Sequence, residues 1–288
     1  MKIGFFGAGK AGTALGLYFR RHGIALSGYA SRRRASSQAA GAITCSDMFK
    51  NLTELAEASD VIFLTVPDDA LCAIDASVAA SIERGEIGRE KIWLHTSGAH
   101  ASSCLKNIVS SGGAVGSVHP LLSFGDPETS AARLDGTVFS VEGSELAVAV
   151  ATKILEKTGA QFQRIAPEKK PLYHAAACVV SNHLVTLIDS GTRLFEAAGM
   201  DREAICQALF PLVDATLDNV RKKGPANALT GPVARGDVTT IRAHLSAIES
   251  TLPQEAAFYK AAALKTARMA AARLTPKQAA ALQFILEE

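Results

Sequence analysis

Gly7-Ala8-Gly9-Lys10-Ala11-Gly12 carries three glycines in G-x-G-x-x-G spacing. It directly follows an apolar run, Lys2–Phe6, and opens a helical pattern, Lys10–Arg21, which is the context a pyrophosphate-binding turn requires. Gly7 permits the tight turn, Gly9 lets backbone approach a phosphate, and Gly12 lets the helix pack close to its strand. The first helical turn offers free N–H groups and the positive end of the peptide dipole. The competing reading is a glycine-rich turn without a ligand. About 20 residues past such a turn, NAD sites place an acid for the ribose 2′-OH. Here the sequence is Ser31-Arg32-Arg33-Arg34. A carboxylate would repel a 2′-phosphate, whereas a hydroxyl and guanidinium groups bind one. Ser31 and Arg32 therefore point to NADP(H), against a solvated charge run at a helix start.

Other residues with chemistry to offer fall at strand ends and on one helix. In a doubly wound sheet the ligand lies beyond the carboxyl ends of the strands. Val66-Pro67-Asp68 ends one run, with Asp68 placed to cap the next helix. His95-Thr96-Ser97-Gly98 turns polar abruptly after the apolar KIWL. Val66, Pro67 and Ser97 should border the nicotinamide, and Ser97 is either a catalytic contact or a helix cap. His119 follows the run Ala114–Val118, where an imidazole can donate a proton, orient a carbonyl or simply cap a loop. His174, Cys178 and Asn182 recur at i, i+4 and i+8, which keeps them within about 80° of helix arc. Such a polar stripe must find partners or face a cleft; a satisfied core histidine and an interhelical Asn are the alternative. Arg235, in the turn-rich Gly224–Asp237 segment, could clamp a substrate carboxylate or pair with Asp237. His22, His100 and His244 read as surface helix residues, and no H-x-x-x-H or carboxylate cluster suggests a metal.

These residues need elements to hold them. Short strand-like runs (Lys2–Phe6, Ala25–Tyr29, Val61–Val66, Lys91–His95, Ala114–Val118, Thr137–Val141, Gln161–Ile165) alternate with helical patterns, which predicts an α/β, doubly wound, mainly parallel Rossmann sheet. From Pro167 onward only helical periodicity appears: Glu168–Ala198 stopped by Gly199, then a helix capped by Asp201 that reaches about Lys223. Asp237, Pro253 and Pro276 open further helices. The expectation is an NADP-binding Rossmann-like domain over 1–166 and an all-helical second domain over 167–288 for substrate and dimerisation. The active site should then lie in the cleft between the two domains.

The chain's 288 residues suit about two domains, and 48% apolar composition excludes a disordered chain. Lys+Arg 30 against Asp+Glu 28 does not suggest a nucleic-acid partner. The 5 cysteines have no C-x-x-C pair, which argues against a disulfide framework and fits a reducing cytoplasm. No charge-free apolar run of about 18 residues predicts a membrane span. The apolar residues scattered over Pro253–Leu286, among them Phe258, Leu264, Met269 and Leu282, suggest a homodimer interface or intramolecular packing.

IGFFGAGKAG, VPDDAL, HTSGA, VHPL, YHAAACVVSNHL and ALTGPVARGD together resemble a bacterial family that joins a Rossmann-like domain to a helical domain like that of 6-phosphogluconate dehydrogenase. The resemblance covers essentially the whole chain and extends to alternative ketopantoate reductases. The ketopantoate reductase pattern (Lys, then Asn four and eight later) falls on His174, Cys178 and Asn182, so only the last Asn is kept. VHPL is similar to the His-Pro-Met motif of prephenate dehydrogenases, with His119 at the matching place.

The resemblance implies an NADP-dependent oxidoreductase acting on a small carbonyl or hydroxy acid, ketopantoate reduction among the possibilities. His174 would be the general acid, Asn182 an orienting donor, His119 a second polar contact and Arg235 the carboxylate clamp. The rivals are an imine (pyrroline-5-carboxylate-like) reductase, a prephenate-type dehydrogenase, and a non-catalytic NADP(H) sensor.

Overall fold

Val61, Ile62, Phe63 and Leu64 are all buried, and they divide between two cores. Val61 and Phe63 join one cluster with Phe5, Phe19, Tyr29, Leu94 and Phe139. Ile62 and Leu64 join another with Trp93, Leu55, Val78 and Ile108. Alternate side chains of a strand point to opposite faces, so a continuous apolar run is the signature of a strand covered on both sides.

The computed structural model describes residues 1–287. Along the chain, β1 (Ile3–Phe6) leads to α1 (Lys10–Arg21), β2 (Leu26–Ala30) to α2 (Arg34–Thr44), and β3 (Asp47–Met48) to α3 (Leu52–Glu57). Then follow β4 (Val61–Leu64), α4 (Leu71–Glu83), β5 (Ile92–His95), α5 (Lys106–Ser110), β6 (Ala114–Pro120) and α6 (Pro127–Arg133). β7 (Val138–Gly143), α7 (Glu145–Thr158), β8 (Gln161–Arg164) and α8 (Lys170–Val180) complete the first part.

The eight strands lie in the order β3-β2-β1-β4-β5-β6-β7-β8. All neighbouring pairs are parallel except β6 with β7, which run antiparallel. The Rossmann-like, mainly parallel sheet is thus as expected, with β7 and β8 reversed. The strand order changes direction between β1 and β4, so the ends of β1, β4 and β5 lie at the switch point where such sheets bind ligands. The two-residue β3 carries too little apolar pattern to be read from sequence.

The chain divides into two compact units, Met1–Ser181 and Asn182 onward. Strand gives way to helix near Pro167 as expected, but compactness places α8 with the sheet. One reason is a break: the expected helix Glu168–Ala198 is two helices, because Ser181 (φ −115°, ψ −72°) leaves the helical path.

The second unit consists of α9 (Asn182–Ala197), α10 (Arg202–Ala228), α11 (Pro232–Arg235), α12 (Val238–Thr251), α13 (Pro253–Ala270) and α14 (Pro276–Glu287). Asp201 and Asp237 accept bonds from the N–H groups of Ala204 and Thr240, capping α10 and α12 as their positions suggested. Gly224 (φ 72°, ψ 162°) interrupts α10 just past Lys223. Ile241, Leu245, Leu282, Ile285 and Leu286 form this unit's core, with Leu264 packed against it. Leu282 and Leu264 therefore serve internal packing. Pro167–Ala197 is long and apolar enough to cross a membrane by length and composition, and none of its most apolar window is buried.

Candidate active site

The glycine turn between β1 and α1 is shaped by Thr65. Gly7 has φ +114°, and a side chain there would collide with the Thr65 carbonyl. Gly12 is equally confined by the Thr65 hydroxyl, which donates to the Gly7 carbonyl at 2.7 Å. A Cβ on Gly9, by contrast, would meet nothing within 4 Å. Two glycines are thus required by packing and the third faces open space. Gly9 caps α1 without a side-chain bond, and the first turn holds no acid. The positive end of the helix is left free, and the cradle fits a pyrophosphate. Ala8, Lys10 and Ala11 complete it.

The end of β2 is tied to this turn through Gly7 N–H donating to the Ala30 carbonyl at 2.9 Å. Immediately beyond, Ser31 Oγ donates to the Arg33 carbonyl and accepts from Ser37 Oγ, both at 2.7 Å. The Ser31 hydroxyl therefore shapes the start of α2, and Arg32 is left exposed beside it. α2 begins without a side-chain cap and without an acid in its first turn. This end of the sheet suits a dianionic phosphate.

A second cluster gathers around Gly98. A Cβ there would lie 2.6 Å from His174 Cδ2 and 2.8 Å from His119 Nε2, so only glycine lets the two imidazoles close over this turn. The two rings are 6.2 Å apart and nearly perpendicular. His119 Nδ1 lies 2.9 Å from the Tyr173 hydroxyl, and His174 Nδ1 lies 3.8 Å from Cys178 Sγ. Burial, then the nearby Lys170 charge, pulls the His119 pKa down to about 4, so the ring is neutral at physiological pH.

The loop carrying Gly98 is pinned from several sides. Ser97 Oγ donates to Asp68 Oδ2 at 2.9 Å and accepts from His100 N–H at 3.0 Å. His100 Nδ1 lies 3.2 Å from the same Asp68 oxygen. His100, read from sequence as a plain surface residue, is therefore a partner of Asp68. Asp68 is not the expected side-chain cap either: Pro67 occupies that position, and the Asp68 carboxylate turns instead to Ser97 and His100. Val66 and Pro67 sit where β4 gives way to this turn. The Ser97 hydroxyl is committed to Asp68 and to the His100 N–H, and it caps no helix.

Below the loop, Lys170 is fully buried. Its ammonium donates to the Ser97 carbonyl at 2.7 Å and to Ser117 Oγ at 2.5 Å. Burial lowers its pKa to about 8, with the Glu142 carboxylate opposing that shift. Glu142, itself buried, accepts from Ser102 N–H and Oγ, both at 2.7 Å. His95, completely buried at the end of β5, accepts from Ser97 N–H at 3.2 Å; desolvation holds its pKa near 3.

The structure thus brings together Ser97, His119 and His174 from the sequence candidates. Asn182 and Arg235 belong to the second unit. Asn182 opens α9, and Arg235 ends α11 with an exposed side chain and its carbonyl bound by Gln278 at 3.1 Å. Sequence reading missed Lys170, Tyr173 and Glu142. Lys170 lies one turn before His174, so extending the polar stripe back by four residues would have found it. Among the described residues, no group of three or more His, Cys, Asp or Glu is placed to hold a metal.

Residues 1–120 match the family described as a Rossmann-like domain, and residues 137–266 match the domain of unknown function DUF2520. No curated protein sequence matches the chain. Among solved structures, protein TM1727 from Thermotoga maritima shares 24% identity, covering 94% of this chain and 99% of that one, with a TM-score of 0.71. An imine reductase from a Pseudomonas species shares 17% identity, covering 93% and 95%, with a TM-score of 0.63. A pyrroline carboxylate reductase from Plasmodium falciparum, solved with NADP bound, shares 15% identity, covering 94% and 98%, with a TM-score of 0.58. At these identities the likeness establishes a common fold.

Proposed function

We propose that the protein is an NADP(H)-dependent oxidoreductase that reduces a small carbonyl compound, with 2-oxo acids of the ketopantoate type as the first substrate class to test. The observation that carries this reading is the pairing of an open, positively polarised glycine cradle with two imidazoles closed over Gly98, both on the Met1–Ser181 unit. The fold shared with a pyrroline carboxylate reductase that binds NADP and the exposed Arg32 beside an uncapped helix support the choice of cofactor.

When bound, NADP(H) supplies the hydride. The chain's own residues hold and complement it: the Gly7–Gly12 turn takes the pyrophosphate, and Ser31 and Arg32 take the 2′-phosphate. His174 donates the proton that the product oxygen needs. His119, neutral, donates a hydrogen bond to the developing oxyanion. Lys170 holds the Ser97 carbonyl so that Gly98 stays beneath both rings.

The fold shared with an imine reductase favours a second reading, reduction of a C=N bond. A homodimer belongs to the same proposal, since Leu172, Val180, Val185, Phe210 and Leu212 expose apolar side chains that a second copy would cover. The deciding experiment follows NADPH oxidation with a panel of 2-oxo acids and cyclic imines. Turnover of either class supports the oxidoreductase reading. Tight NADPH binding with no turnover of any member overturns it in favour of a sensor.

A further inference from the structure

The two ring nitrogens of His119 have different surroundings. Nε2 points toward the Gly98 side that His174 also borders. Nδ1 meets the Tyr173 hydroxyl at 2.9 Å, with the two rings perpendicular and 5.5 Å apart. Behind Tyr173 stands Ser140, which pairs with His119 in the β6–β7 register. The Ser140 hydroxyl is buried and makes no hydrogen bond, to Tyr173 or to any other described residue.

The His119–Tyr173 bond can be wired in two directions. In one, Nδ1–H donates to the phenol oxygen; among the described residues the phenol has no second partner, so its own proton then goes unpaired. In the other, the phenol donates to a bare Nδ1, and the ring proton sits on Nε2. An unsatisfied donor costs more than an acceptor with a spare lone pair. A phenol is also a far better proton donor than a neutral imidazole, and a bare imidazole nitrogen accepts well. Both arguments select the second direction.

We infer that Tyr173 is a positioning residue that holds His119 as its Nε2–H tautomer and so makes the Gly98 site a hydrogen-bond donor. Such a site favours a reacting group that accepts a hydrogen bond, a carbonyl or carboxylate. It disfavours a protonated imine, whose nitrogen has no lone pair to offer. The substrate half rests on the oxidoreductase reading; the tautomer half does not.

The test begins without turnover. Protein labelled with ¹⁵N-histidine is examined by long-range ¹H–¹⁵N NMR at pH 7.5, and the His119 signals are assigned by their loss in His119→Gln. The expected result is Nε2–H in the native protein and a mixture in Tyr173→Phe. Native protein in the Nδ1–H form overturns the inference, as does a Tyr173→Phe spectrum identical to native. The native spectrum alone keeps the inference open to refutation if Tyr173→Phe fails to fold. NADPH oxidation is then measured with ketopantoate and with 1-pyrroline. Tyr173→Phe should lower kcat/KM for the oxo acid about tenfold relative to the imine, the worth of one well-placed hydrogen bond. An unchanged ratio overturns the substrate half. Nε2–H with no turnover of either compound overturns the oxidoreductase reading and leaves the tautomer assignment standing.

Discussion

The glycine cradle and the Gly98 cluster occupy the same unit but are made of different material. The cradle is backbone: Gly7, Gly9 and Gly12 within six residues, a helix end and one supporting threonine. The cluster is side chains drawn from the β4 and β5 ends, β6, β7 and α8, spread from Asp68 to His174. The cradle offers partial charges that do not change with pH. The cluster offers the His174 imidazole together with His119 and the buried Lys170 ammonium, and burial shifts the charge balance of the latter two. The first suits a permanent anion; the second suits a group whose charge changes during reaction.

The largest expected effect lies in the cluster. His174→Ala should lower kcat by about 10² to 10⁴, the range for loss of a general acid, while NADPH affinity measured by fluorescence titration stays near native. Equal loss in both would mean the two regions do not divide binding from chemistry as described. Next comes Arg32→Ala, which should weaken NADPH about tenfold to a hundredfold and leave NADH nearly unchanged. Equal native affinities for the two cofactors would remove the 2′-phosphate assignment. Gly9→Ala should weaken both cofactors about tenfold with no change in Tm, because its Cβ enters only open space. Gly12→Ala makes the contrast, lowering Tm as well, since its Cβ must displace the Thr65 side chain. Identical melting curves for the two variants would refute the division between packing glycines and a ligand-facing one.

The contrast between the regions also explains what could be read from sequence. The cradle was legible because its function depends on contiguous spacing. So were the buried strands, whose runs feed both sheet faces, and the caps at Asp201 and Asp237. The cluster was legible only where polarity broke an apolar pattern, at Ser97, His119 and His174. Lys170 was hidden because a lysine at a helix start looks like a solvated residue; its burial depends on Ser97 arriving from the loop after β5 and Ser117 from β6. Tyr173 reads as an ordinary aromatic until the β6 register sets His119 against it. His100 and Asp68 are 32 positions apart, and nothing local announces their pairing. The reversed β7 and the break at Ser181 likewise leave no mark in the residue pattern.

The smallest expected effect, on stability, separates the regions by titration. His119 is held at a pKa of about 4, below its ordinary 6.5, first by desolvation. The unfolded chain therefore binds a proton more readily than the folded one between those values. Stability is fully present above pH 6.5 and declines as pH falls toward 4. His95, with its pKa near 3, adds in the same direction. Urea unfolding at steps from pH 7 to pH 4.5 should show this decline. His119→Asn should flatten it by about 1–2 kcal/mol, the full shift being reduced because the ring is only partly buried. Gly9→Ala, altering only a backbone turn, should leave the slope as it is in the native protein. A His119→Asn slope equal to native would mean that His119 is protonated as readily in the folded protein as in the unfolded chain. It could not then serve as a neutral donor over Gly98.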